Sequence, residues 1–77
     1  MSDSRALIDK RKLRMKRIRA GLTQSGLARR VQLHPSYIRL LERGDRGGSP
    51  ETLNALAGAL SCDITELMPD EPDEVAA

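Results

Sequence analysis

The side chains best suited to chemistry in this 77-residue sequence are its cations, and they are confined to one part of it. All 13 Lys and Arg residues lie in positions 1–46 with only four acids, which gives this part a formal charge of +9. Positions 47–77 hold seven acids and no Lys or Arg, hence −7. Each phosphate neutralised by a Lys or Arg releases condensed counterions, so the basic part suits a polyanion. The distribution indicates a nucleic-acid partner, or else a solvated basic helix face balanced by an acidic tail.

The residue types that commonly perform catalysis or hold metals are scarce. There is one His, His34, and one Cys, Cys62, and no Gly-rich loop follows a predicted strand. A single Cys forms no internal disulfide, and these two residues cannot complete a structural zinc site. The inventory therefore argues against an enzyme, a metal centre and a bound cofactor, and it favours a reducing compartment.

Composition sets the fold class. The chain has room for one small domain, and its only aromatic residue is Tyr37, so the core must be built from Leu, Ile and Ala, which favours helices. The longest apolar run spans positions 55–60 and is shorter than a signal peptide or membrane span requires. We expect an all-α, cytoplasmic protein without a membrane partner.

Apolar spacing and capping signals predict five short helices. Thr23 and Ser49 are N-cap residues, Pro35 suits a first turn, and Gly21 and Gly44 are typical helix ends. The predicted helical spans are 6–20, 24–31, 35–43, 50–60 and 64–68, the last opened by a capping box at 63–66.

These helices define three regions of the chain. Positions 1–8 are an N-terminal arm or helix start, and positions 9–69 form the helical domain. Positions 70–77 are acidic and nearly without apolar anchors, so we expect them to be disordered. The roles left open for this tail are mimicry of phosphate, folding back on the basic half, and keeping the protein soluble.

Two short helices joined by a three-residue turn are typical of a helix-turn-helix unit. Several motifs lie in one ungapped register over positions 21–67: Gly21-Leu22-Thr23-Gln24, Leu27-Ala28, Tyr37-Ile38, Leu41-Glu42-Arg43-Gly44 and Thr52-Leu53. In this register the chain resembles the Cro and lambda-repressor family of bacterial and phage regulators, often called XRE-type. The resemblance implies a compact five-helix DNA-binding domain whose helix 35–43 enters the major groove of double-stranded DNA.

The side of helix 35–43 that faces away from Ile38 and Leu41 carries the candidates for reading bases. By their spacing, the residues on this side are Pro35, Ser36, Arg39, Leu40 and Arg43. The first four of them are assigned to base contacts. Arg39 is the main candidate because a guanidinium bridges guanine O6 and N7; the alternative is a solvated surface charge. Leu40 either contacts a thymine methyl group or extends the core.

Phosphate contacts are expected on both sides of that helix, because they orient a protein on DNA. The resemblance places Thr23 and Gln24 at a phosphate-binding helix start, although Thr23 also suits a plain N-cap. The other backbone candidates are Tyr37, Arg43, Arg46, Lys10, Arg11 and Arg14. For Lys10, Arg11 and Arg14 a solvated helix face is an equal alternative.

The resemblance also assigns structural roles and shows departures from the pattern. Arg17 and Glu42 match an internal ion pair. Gly26 lies inside a helix, where Gly is unfavourable, and Gln32 replaces a turn Gly. His34 replaces a hydroxyl cap, so we expect the third helix to lack a side-chain cap.

The predicted function is that of a sequence-specific transcriptional regulator, such as a Cro-like phage switch protein or a small autoregulatory repressor. The alternative is a protein-interaction module, such as an antitoxin or anti-repressor, in which a protein partner is primary. Pairing into a homodimer is left open; Leu60, Ile64, Leu67 and Met68 are available for it but also suit the monomer core.

Overall fold

The computed structural model describes residues 6–70, which form four α-helices and one short 3₁₀ helix. The elements are α1 (Lys10–Arg19), α2 (Gln24–Val31), α3 (Pro35–Arg43), α4 (Pro50–Ala59) and the 3₁₀ helix (Ile64–Glu66). The predicted all-α class is confirmed over these residues. Within them, no helix combines the length and apolar character needed to cross a membrane.

The prediction of a fifth α-helix is wrong. The capping signal at its start is present, since the Glu66 carboxylate accepts a hydrogen bond from the Asp63 amide at 3.0 Å. The segment then makes only one 3₁₀ turn before Leu67 inserts into the core. Pro69 disfavours the α conformation at Met68, which prevents the turn from continuing as an α-helix. The tail assigned to positions 70–77 lies outside the described residues, except for Asp70.

The first helix begins four positions later than predicted. The Asp9 carboxylate accepts hydrogen bonds from the amides of Arg11 (2.9 Å) and Lys12 (3.1 Å), which makes Asp9 the N-cap. The residues before it lie across the loop that follows α3, where the amides of Leu7 and Ile8 both donate to the Gly47 carbonyl. These tertiary hydrogen bonds replace the helical ones that the sequence allowed.

One core joins all the elements. α2 packs on α3 and on α4, α1 packs on α3, and the 3₁₀ helix packs on α4. The buried apolar residues are Ile8, Leu13, Leu27, Ala28, Ile38, Leu41, Leu53, Leu56, Ala57, Leu60 and Leu67. α3 contributes only two of them, Ile38 and Leu41, and its side away from these two residues faces solvent.

The connection between α2 and α3 is a tight turn without glycine. Gln32 ends α2 in the left-handed region, at φ 59°, and the Leu33 amide donates to the Ala28 carbonyl at 2.9 Å. Leu33 packs against the core, and α3 starts two residues later at Pro35. The turn that the motif requires therefore forms despite the strain of a non-glycine residue, roughly 1–2 kcal/mol.

Replacement of Gly48 by Ala is expected to destabilise the fold by about 1–3 kcal/mol. Gly48 has a φ of +81°, and an added Cβ would lie 2.5 Å from the Cδ1 of Ile8, which is buried. Both backbone strain and displacement of Ile8 oppose the change. Urea unfolding measures the loss of stability.

Gly58→Ala is the matched control for Gly48→Ala. Its added Cβ meets no atom within 4 Å, so helix propensity predicts a gain in stability of up to ~1 kcal/mol. Equal stability of the two variants would contradict this interpretation.

Candidate nucleic-acid interface

α3 is buried on one side and open on the other. Ile38 and Leu41 are buried, whereas Arg39 is exposed and has no ion-pair partner among residues 6–70. The helix side away from the core carries Pro35, Ser36, Arg39, Leu40 and Arg43, of which Ser36 and Leu40 are half-buried. We call these five residues the outer side of α3. The structure thus brings the predicted base-reading residues together on one surface.

The N-terminal end of α3 is capped by a histidine, contrary to the expectation that this cap is missing. His34 has extended backbone angles, and its Nδ1 accepts a hydrogen bond from the Ser36 amide at 3.1 Å. The Ser36 hydroxyl lies 2.8 Å from the same nitrogen. An imidazole lone pair therefore replaces the usual hydroxyl oxygen in satisfying a free amide of the first turn.

The C-terminal end of α3 holds two further cations. Gly44 ends the helix at φ +86°, and the amides of Asp45 and Arg46 then fold back onto the Leu40 carbonyl, at 2.9 and 3.4 Å. This fixes Arg46, which is exposed, directly beyond the outer side of α3. Arg43 forms a solvent-exposed ion pair with Asp45, with 3.2 Å between its Nε and Oδ2.

The start of α2 is capped by a hydroxyl. Thr23 accepts a hydrogen bond from the Gly26 amide at 2.9 Å, so the N-cap prediction is confirmed. A Cβ on Gly26 would lie 3.2 Å from the Thr23 Oγ1. Glycine is unfavourable within a helix, but at position 26 the absence of a side chain leaves room for the Thr23 cap.

An ion pair ties α1 to α3 beneath this surface. Arg17 donates from Nε and Nη2 to the two carboxylate oxygens of Glu42, at 2.6 and 3.0 Å. Their side chains are only 13% and 4% exposed. The hydrogen bond from Arg17 to Glu42 raises the pKa of the guanidinium above its ordinary value. This is the geometry that the resemblance assigns to the two residues.

Two neighbours complete the environment of the ion pair. Nη1 of Arg17 donates to the Leu22 carbonyl at 2.9 Å, and the side-chain amide of Gln24 donates to Glu42 Oε1 at 3.1 Å. The structure therefore directs the NH₂ group of Gln24 inward, toward Glu42. Nothing in the spacing of the sequence indicated this contact, because it joins residues 18 positions apart.

Five of the seven cations of α1 lie in two groups. Lys10, Arg11 and Arg14 line an open groove with Arg43 at the end of α3; its acidic members are Glu42 and Asp45. An added Cβ on Gly44 would meet the Lys10 side chain at 3.0 Å, which shows how closely Lys10 approaches α3. We call this the α1–α3 basic groove.

The second group faces the C-terminal part of the domain. Lys12 donates to the Met68 carbonyl at 2.8 Å and to the Asp70 carboxylate at 2.6 Å. Lys16 pairs with Glu66, and its hydrogen bond lowers the pKa of that carboxyl. The charge imbalance of the sequence is therefore partly neutralised within the fold on this side of α1 by acids from the C-terminal part, whereas in the α1–α3 basic groove the acids are Glu42 and Asp45.

The remaining predicted contact is Tyr37. It is half-buried and packs against the core. Sequence reasoning missed the contacts of His34, Gln24 and Lys12, and only the position of His34 directly before Pro35 was a local signal for one of them.

Comparison with known proteins decides the family. A family model described as helix-turn-helix matches residues 13–67, which is more than half of the chain. The protein belongs to the XRE-type helix-turn-helix family. The match begins within α1, ends directly after the 3₁₀ helix, and thus includes both helices of the motif, α2 and α3.

Two regulators of known structure are similar to this XRE-type protein. The restriction-modification controller protein C.AhdI from Aeromonas hydrophila is 37% identical, with a TM-score of 0.74 over 77% of this chain and 89% of that chain. The clp gene regulator ClgR from C. glutamicum is 32% identical, with a TM-score of 0.70 over 74% of each chain.

A third similarity concerns the fold alone. A hypothetical transcription factor from Neisseria is 22% identical, with a TM-score of 0.72 over 88% of this chain and 87% of that chain. None of the curated protein sequences matches the chain. The family and the two regulators identify a DNA-binding transcriptional regulator, a class whose members are generally not enzymes.

Proposed function

We propose that this XRE-type protein recognises a specific operator in double-stranded DNA by placing α3 in the major groove, and that it acts there as a small repressor of the Cro-like type. The observation that carries the proposal is the outer side of α3. It presents the guanidinium of Arg39, which has no ion-pair partner within residues 6–70, to solvent, while the opposite side of the helix is fixed by Ile38 and Leu41.

Base reading is assigned to the outer side of α3. Arg39 bridges the O6 and N7 atoms of a guanine, the commonest specific contact in the major groove. Ser36, nearer the N-terminal end, contacts a neighbouring base, since the N-terminal residues of a recognition helix reach base edges. Leu40 and Pro35 supply apolar contact, with Leu40 facing a thymine methyl group.

Phosphate contacts are assigned to both flanks of α3. On one flank the first turn of α2 offers backbone amides at Thr23 and Gln24, where the helix dipole favours an anion. On the other flank Arg46 and Arg43 follow the end of α3, and the α1–α3 basic groove continues the positive surface with Lys10, Arg11 and Arg14. The hydroxyl of Tyr37 is a further phosphate donor.

Arg46→Ala is expected to weaken binding to all duplexes alike and to reduce the slope of log affinity against log salt by about one unit. A phosphate contact carries no base information, so the ratio of affinities for different sequences stays unchanged. Titrations at several salt concentrations measure both quantities.

The matched control for Arg46 is Arg30→Ala, which removes the same charge from a different surface. Arg30 lies along a groove with Asn54 and Gly58 of α4. We expect it to change the slope much less. Equal effects of the two variants would show that Arg46 acts only through net charge.

Selection of bound duplexes from a random pool at near-physiological salt tests the proposed function. We expect enrichment of one motif. An inverted repeat with half-sites about one helical turn apart means that a homodimer binds, and a single half-site means a monomer. Of the residues considered for pairing, Leu60 and Leu67 are buried in the core, Met68 is half-buried, and Ile64, at 38% exposure, is the most open to a second copy. A pool without any enriched motif would contradict sequence-specific reading and favour a function through a protein partner.

A further inference from the structure

The histidine cap of α3 defines its own tautomer. A backbone amide can only donate, and the Ser36 amide points at His34 Nδ1 over 3.1 Å. Nδ1 must therefore carry a lone pair. In a neutral imidazole the single proton then resides on Nε2.

This tautomer determines what the Ser36 hydroxyl can do. Its Oγ lies 2.8 Å from the same Nδ1, which has no proton to donate, so the hydroxyl is the donor. Two protons, one from the amide and one from the hydroxyl, share the lone pair of His34. The proton of the Ser36 hydroxyl is thus committed within the protein, and only the oxygen lone pairs remain available to a ligand.

We propose that the His34–Ser36 contact converts Ser36 into an acceptor-only reader that restricts the base it faces to adenine or cytosine. The inference rests on the proposed function, with α3 in the major groove. There the hydrogen-bond donors are the N6 amine of adenine and the N4 amine of cytosine, whereas guanine and thymine present acceptors at the corresponding edges. A serine with a free hydroxyl contacts either kind of base. His34 is therefore a specificity-determining residue through Ser36, as well as a cap.

The first test concerns the free protein and needs no DNA. Long-range ¹H–¹⁵N NMR spectra of the His34 ring at pH 8 distinguish a protonated Nδ1 from a protonated Nε2. We expect the proton on Nε2. A proton on Nδ1 would overturn the inference, whatever the protein does with DNA, because Ser36 would then accept from His34 and keep its own proton for a base.

The second test compares motifs selected by the wild type, His34→Gly and Ser36→Ala. Gly is tolerated at N-cap positions, so His34→Gly removes the Nδ1 acceptor at little cost to the helix. We expect the wild type to favour adenine or cytosine at one position by about fivefold, the factor that one hydrogen bond typically contributes. His34→Gly lowers this preference below twofold at that position only. Ser36→Ala abolishes it there, which identifies the position as the one Ser36 faces.

The outcomes separate the two proposals. A wild-type motif with guanine or thymine at the Ser36 position overturns the acceptor-only assignment and leaves sequence-specific binding intact. So does an unchanged preference in His34→Gly. The absence of any wild-type motif overturns the proposed function as well, and the selection with wild-type protein alone shows this. If His34→Gly does not fold, the NMR measurement on the wild type still decides between the tautomers.

Discussion

Glu42→Ala is expected to destabilise the protein by about 3–5 kcal/mol, the usual cost of removing one member of a buried ion pair. The carboxylate accepts two hydrogen bonds from Arg17 and one from Gln24, and its side chain is 4% exposed. Its removal leaves the Arg17 guanidinium enclosed without a countercharge. Because small domains have total stabilities of only several kcal/mol, the variant should be close to unfolding in the absence of denaturant. Urea unfolding followed by circular dichroism measures the loss.

Two control variants isolate the cause. Glu42→Gln keeps the shape and a hydrogen-bond acceptor but removes the charge, so we expect a smaller loss than for Glu42→Ala. Asp45→Ala removes the exposed ion pair with Arg43 and should change stability little. The side chains of Arg43 and Asp45 are 64% and 48% exposed. If Glu42→Ala costs no more than Asp45→Ala, the ion pair between α1 and α3 does not hold α3 in place.

Arg39→Ala is expected to lower affinity for the selected operator by about 1–3 kcal/mol, the discrimination provided by a bidentate contact to guanine. In equilibrium terms this is a loss between about fivefold and 150-fold. Affinity for an unrelated duplex should fall much less, because the proposed phosphate contacts are retained. Stability should be unchanged, since Arg39 is exposed and has no ion-pair partner in the described residues.

The comparison that matters for Arg39 is with Arg46→Ala. Both variants remove one positive charge from an exposed position. Arg39 lies on the outer side of α3, and Arg46 lies beyond the end of this helix. We expect Arg39→Ala to relax the sequence preference at one position and Arg46→Ala to leave every preference intact. Affinity titrations on the operator and on single-base variants of it separate the two effects. Identical behaviour would show that the division into base-reading and phosphate-binding residues is wrong.

The elements whose signals are local could be predicted from the sequence. Thr23 and Ser49 cap α2 and α4 as expected, since a hydroxyl before an apolar periodic segment satisfies a free amide whatever the rest of the chain does. Pro35 marks the start of α3 and Gly44 marks its end, because the backbone preferences of these residues act locally. The apolar spacing then distinguishes the two sides of α3, which is why its outer side was foreseen.

The features that depend on distant residues could not be predicted in this way. The start of α1 is set by hydrogen bonds from Leu7 and Ile8 to Gly47, about forty positions away. The inward contact of Gln24 depends on where α3 places Glu42. The pairing of the carboxylate of Asp70 with Lys12 likewise appears only once the chain is folded.

The histidine cap was missed for a different reason. His34 lies directly before the helix, but a preference scale ranks residue types by their average behaviour, and His is not among the favoured caps. Here the ring nitrogen reaches the Ser36 amide as an Asn or Ser oxygen would. A pattern identifies the position of a cap and does not show which atoms can fill it.

The most direct test of α3 in the major groove is the affinity of the protein for operators with single-atom changes at the guanine assigned to Arg39. Replacing that guanine by 7-deazaguanine removes the N7 acceptor from the major groove, and replacing it by inosine removes the amino group from the minor groove. We predict that 7-deazaguanine weakens binding of the wild type about tenfold, does not weaken Arg39→Ala further, and that inosine has little effect on either protein. Weakening by inosine without weakening by 7-deazaguanine would contradict the placement of α3 in the major groove.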